Sequence, residues 1–177
     1  MALINTTTTG VLGSTFFGDG AGSLTVQKDG VTQGIFGNQP AFSAYQNTQQ
    51  TSIPQYSNTK ITFDIEEFDT NNNFASSRFT PTVAGYYQIS WAVQIGYSSS
   101  AYILANLFKN GGAYKSGGTV AASASTYPTS TQSVVVYLNG TTDYVEIYAW
   151  GSNGTSTFNA YNGIDRTYFN GILVKAA

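Results

Sequence analysis

From Ala41 onward the chain alternates apolar and polar residues with a period of two. Tyr87, Ile89, Trp91, Val93 and Ile95 fall on one side of such a run and Tyr86, Gln88, Ser90, Ala92 and Gln94 on the other, the pattern of a strand with one buried face. Ile61, Phe63 and Ile65 repeat it against Thr62, Asp64 and Glu66, and so do Val145, Ile147 and Ala149 against Tyr144, Glu146 and Tyr148. No segment carries a helical stripe. Asn110-Gly111, Asn139-Gly140, Asn153-Gly154 and Asn162-Gly163 punctuate these runs and supply the positive φ that tight turns need. Val134 to Leu138, Asn139 to Asp143 and Tyr144 to Trp150 together read as a hairpin. Many short strands with such punctuation predict an all-β sandwich or jelly roll.

The first part of the chain has a different texture. A threonine run, Thr6 to Thr9, is followed by eight glycines between Gly10 and Gly37, with few large apolar residues. Ser23 to Gln27 and Val31 to Gln33, joined by Lys28-Asp29-Gly30, predict one short hairpin, too little to bury a core. Residues 1–38 are therefore expected to form an extended N-terminal arm, and 39–177 the jelly roll.

Charge sharpens this picture by its scarcity. Only 9% of the 177 residues are Asp, Glu, Lys or Arg, against 15% aromatic, where about 25% charged is usual. None lies between Arg78 and Lys109, or between Lys115 and Asp143. Those stretches are too polar for membrane spans, which need about 20 apolar residues, so no membrane partner is expected. A net charge of −2 without a basic cluster argues against nucleic acid. Met1-Ala2-Leu3-Ile4-Asn5-Thr6 lacks the features of a signal peptide, so release from a cell is expected to go by another route, such as lysis.

One stretch with its flanks has a specific spacing: Phe63, five residues, Asp69, four residues, Phe74, a gap, Phe79, five residues, then Gly85-x-Tyr87-x-Ile89-x-Trp91. An opening strand at Ala41 to Tyr45 and a closing one at Tyr168 to Leu173 accompany it. Together they resemble the C1q/TNF-like family over about Phe42 to Lys175. The gap before Phe79 is about two residues shorter than the family pattern. Ile89 and Trp91 stand where it prefers Phe and Phe or Tyr, substitutions that keep apolar bulk on one face. The resemblance implies a ten-stranded jelly roll assembling as a tight homotrimer. Strand Tyr102 to Phe108, apolar on both faces, supports self-association, as does the scarcity of charge, which obligate interfaces exclude. Tyr102, Leu104, Phe108 and Ile172 are the expected interface residues. The segments "SLTVQKDGVTQGIF", "FTPTVAGYYQ" and "VYLNGTTDYVEIY" further resemble structural and fibre proteins of bacterial viruses, especially those of aquatic hosts.

Candidate chemistry is sparse. With no histidine and no cysteine, the usual general bases, nucleophilic dyads and thiolate metal sites are missing, and no enzyme activity or cofactor is expected. Asp64, Glu66, Glu67 and Asp69 cluster, with Asp64 and Glu66 on the outward face of their strand, and read as a solvated edge. Asp69-Thr-Asn-Asn-Asn73 mimics the start of a calcium loop, but Phe74 replaces the expected glycine and Thr80 the closing glutamate. It reads instead as a turn held by side chain to backbone hydrogen bonds, with no metal, although some family relatives bind calcium near the trimer axis. Tyr97, Tyr127 and Tyr161 lie in or beside Ser-, Gly- and Asn-rich loops, a composition suited to recognition. The expectation is a non-enzymatic virion protein, a homotrimeric capsid decoration or cement protein whose arm grips the major capsid protein. The alternative is a receptor-binding fibre tip whose tyrosines hold a host surface glycan.

Overall fold

The computed structural model describes residues 39–96, 102–121, 127–152 and 157–177 in full, and the backbone of 16–18, 24–28, 31–36, Ala101 and Ala122. The chain divides into two compact units, Met1–Gln39 and Pro40–Ala177. The first contains a three-stranded antiparallel sheet, in which β2 (Leu24–Lys28) pairs with β1 (Phe16–Gly18) and with β3 (Val31–Phe36). The pair β2–β3 spans the segment read as a hairpin, and β1 adds a strand that the alternation did not signal.

The second unit is all-β. Its strands are β4 (Ala41–Tyr45), β5 (Gln50–Pro54), β6 (Thr59–Lys60), β7 (Ile65–Asp69), β8 (Phe74–Ala75), β9 (Arg78–Phe79), β10 (Gly85–Gly96), β11 (Ala101–Lys109), β12 (Gly112–Ser116), β13 (Val120–Ala122), β14 (Thr129–Leu138), β15 (Val145–Ser152), β16 (Thr157–Ala160) and β17 (Tyr168–Ala176). They form two antiparallel sheets. The first runs β7-β4-β17-β10-β14, with β16 and β5 carrying on from the end of β10; the second runs β12-β11-β15-β9-β8, with β13 beside β11 and β6 beside β15. This is a jelly roll of the C1q/TNF type.

The core lies between the two inner faces. Tyr87, Ile89, Trp91, Val93 and Ile95 of β10 face Ile103, Ala105 and Leu107 of β11 and Val145, Ile147 and Ala149 of β15, all buried. The phenylalanines gather at one end: Phe42 stacks on Phe74 and Phe79 with ring centres 5.0 and 4.3 Å away, and Phe169 meets Phe42 edge-on at 4.8 Å. Phe63 packs on Phe169 at 5.5 Å and Phe79 on Tyr87 at 5.5 Å. Phe63, Phe74, Phe79, Tyr87, Ile89 and Trp91 are thus interior residues. Asp69 supports them from outside, its carboxylate accepting from the Asn71 and Phe74 amides and closing the asparagine turn.

Three local expectations are corrected. Val134–Leu138 and Tyr144–Trp150 are not a hairpin: β14 pairs with β10 in the first sheet and β15 with β11 in the second, so Asn139 to Asp143 carries the chain across the sandwich. The Asn139 side-chain oxygen accepts from the amides of Thr141, Thr142 and Asp143 and shapes that crossing. Residues 61–64 lie outside any strand, so Asp64 is not on an outward strand face; its carboxylate holds the Asn47 and Thr48 amides. Gly85 does not serve a turn. It begins β10 where β17 crosses close by, and a Cβ there would strike the Lys175 carbonyl oxygen and, at 2.7 Å, a Leu173 methyl.

Candidate functional surface

The outward face of the first sheet follows from strand register. Tyr137, Tyr86 and Lys175 form one row, Val135, Gln88, Ile172 and Ala41 the next, and Ser133, Ser90, Asn170, Ser43 and Phe68 the third. A fourth contains Thr131, Ala92, Tyr168, Tyr45 and Ile65. Val135, Ile172 and Val174 are about half exposed, at 56%, 48% and 58%, where a solvated sheet face would normally carry polar side chains. Tyr86 and Tyr137 lean on each other at 5.5 Å, and a hydroxyl strip follows, with Ser133 Oγ 2.9 Å from Ser90 Oγ and accepting from Gln88. Charge reaches this face at its margins, as Lys175 at one end, Lys109 of β11, whose Nζ lies 5.9 Å from the centre of the Tyr137 ring, and Glu67, bonded to Ser43, on the edge strand β7.

The expected interface residues do not share one surface. Ile172 lies on the face just described, whereas Tyr102, Leu104 and Phe108 lie on the outward side of β11 in the second sheet. There Tyr102 is exposed and Leu104 half-buried, while Phe108 is buried beneath Tyr148, stacked at 4.1 Å. The apolar outer side of β11 is thus partly covered within its own chain. Of the loop tyrosines, Tyr127 and Tyr161 come together edge to face at 5.1 Å, with Tyr127 well exposed; Tyr97 lies outside the described residues.

A feature hidden from the sequence is the ion cluster around Glu146. Its position among the polar residues of β15 predicts exposure, yet it is 2% exposed. Lys60 Nζ and Arg78 Nε converge on the same oxygen, Oε1, at 2.6 and 2.8 Å, and Tyr148 donates to Oε2. Burial pushes the carboxyl's pKa up, but the hydrogen bonds and charges of Lys60 and Arg78 outweigh it and leave it below its ordinary value. The Arg78 guanidinium carbon also lies over the Tyr144 ring, 3.8 Å from its centre. Among the described residues, no group of three or more His, Cys, Asp or Glu side chains could hold a metal ion.

No family model and no curated protein matches the sequence. Among solved structures, the globular domain of zebrafish complement 1qA protein is similar over 79% of this chain and all of its own, with 20% identity and a TM-score of 0.58. Murine APRIL at pH 8.0 is similar over 77% of this chain and all of its own, at 10% identity and a TM-score of 0.54. Eiger TNF from S. frugiperda is similar over 78% of this chain and 94% of its own, at 9% identity and a TM-score of 0.52. These likenesses establish the fold.

Proposed function

We propose that the chain is a non-enzymatic structural protein that assembles as a homotrimer through the outward face of the first sheet. The observation that carries this reading is the patch of exposed Tyr86, Val135, Tyr137, Ile172 and Val174, drawn from adjoining rows of a face with charge at its margins. Such a surface resembles the apolar, charge-depleted centre of a permanent interface, and identical subunits close it most simply by cyclic symmetry. The number three follows the C1q/TNF-like resemblance.

The setting we propose is a virion, with the trimer decorating a capsid and residues 1–38 gripping the major capsid protein. The viral resemblance of the N-terminal and core segments supports this. Removing Met1 to Phe36 is expected to leave trimers that no longer bind capsids in a pull-down, and undiminished binding contradicts the anchoring role. Exposed Tyr127, braced by Tyr161, favours a second reading, a fibre tip that grips host polysaccharide. Gel densitometry of purified virions separates the two, since decoration requires many more copies than fibres do.

A further inference from the structure

A cavity of about 510 Å³ opens beside β8 and β9, lined by Lys60 and Arg78 and by the hydroxyls and amides of Asn72, Ser76, Thr80 and Thr82. Its volume falls in the range of roughly 300–1,000 Å³ usual for small-ligand sites. No carboxylate is among its lining residues. Both cations converge on one buried counter-ion, Glu146. Two cations against one buried anion leave a net positive charge at the cavity wall.

The wall is also organised in advance. Arg78 is held by Glu146 through Nε and by the Tyr144 ring, 3.8 Å from its guanidinium carbon, so its fork is oriented before any ligand arrives. Ser76 and Ser77, at φ of 51° and 58°, are the two-residue turn between the paired Ala75 and Arg78. The Ser77 hydroxyl bonds both the amide and the carbonyl of Phe63 and anchors that turn, which leaves Ser76 exposed at the cavity.

We infer that this cavity binds an acidic saccharide, a hexuronate-type residue of an anionic polysaccharide. Its carboxylate would pair with Lys60 and Arg78, and its ring hydroxyls would exchange hydrogen bonds with Asn72, Ser76, Thr80 and Thr82. A neutral sugar leaves the cations unused; a bare inorganic anion leaves the hydroxyl wall unused. The site is separate from the outward face of the first sheet and does not depend on the subunit number.

The test is calorimetric titration of the full chain with trigalacturonate, with the neutral galactose trisaccharide and with inorganic sulfate. Trigalacturonate is expected to bind, more weakly as salt rises, and both controls to bind at least about tenfold more weakly. Ala75→Trp, which fills the cavity from β8 at the position paired with Arg78, is expected to lower the affinity at least about tenfold while the chain keeps a cooperative melting transition. Equal binding of the neutral trisaccharide, sulfate binding as tightly as trigalacturonate, wild-type affinity in Ala75→Trp, or no binding of trigalacturonate would each overturn the assignment.

Discussion

Glu146 is a buried carboxylate kept ionised by Lys60 and Arg78, and this ties stability to pH. Its folded pKa lies below the ordinary 4.5, so the stability it contributes is fully present above about pH 5 and is lost as pH falls through the folded value. Glu146→Gln is expected to flatten the acid side of a denaturation profile measured between pH 3 and pH 6, Asp64 and Asp143 supplying the slope that remains. Trp91 is the second test at this scale. It is 1% exposed and its Nε1 donates to the Ala105 carbonyl at 3.0 Å, so Trp91→Ala is expected to cost about 3–5 kcal/mol in urea unfolding. Trp91 was legible as interior because its neighbours alternate. Glu146 was not, because its partners stand 86 and 68 residues away, and an alternating pattern reports which side a residue faces but not what covers it.

Most strands were legible as strands, residues 61–64 and β1 being the exceptions, and their partners were not. Val134–Leu138 and Val145–Ser152 alternate as expected, but each meets its neighbours in a different sheet, and local spacing cannot distinguish a turn that folds back from one that crosses over. The crossing depends on Gly140, whose φ is +71° and where a Cβ would strike the Ala84 amide and come within 2.7 Å of the Val83 carbonyl carbon. Gly140→Ala is therefore expected to destabilise by more than about 1 kcal/mol, read from the urea midpoint. The edge of β11 shows the same long-range logic. Between its pairings with β13 and β12, Ala105 donates to Ser130 Oγ and accepts from Gly117 N and Trp91 Nε1. Two side chains of the first sheet thus complete a ladder of the second. Gly85 was legible as a required glycine, but for the wrong reason, since close approach between strands leaves no separate mark in a single sequence.

For the whole molecule, the expectation of self-association rested on the family resemblance, with the apolar β11 and the scarcity of charge in support, and the structure puts a broad apolar surface, charged at its margins, on the other sheet. Rows that join β10, β14 and β17 bring together residues from three distant stretches, and only the fold reveals them as one face. Charge placed there should dissociate the assembly, and charge on the outer side of β11 should not. Sedimentation velocity of the wild type, Ile172→Asp and Tyr102→Asp at micromolar concentration distinguishes the two faces. Three times the chain mass is expected for the wild type and for Tyr102→Asp, and a folded single chain for Ile172→Asp. A wild type that sediments as one chain, or an Ile172→Asp variant that remains trimeric, would contradict assembly through the first sheet.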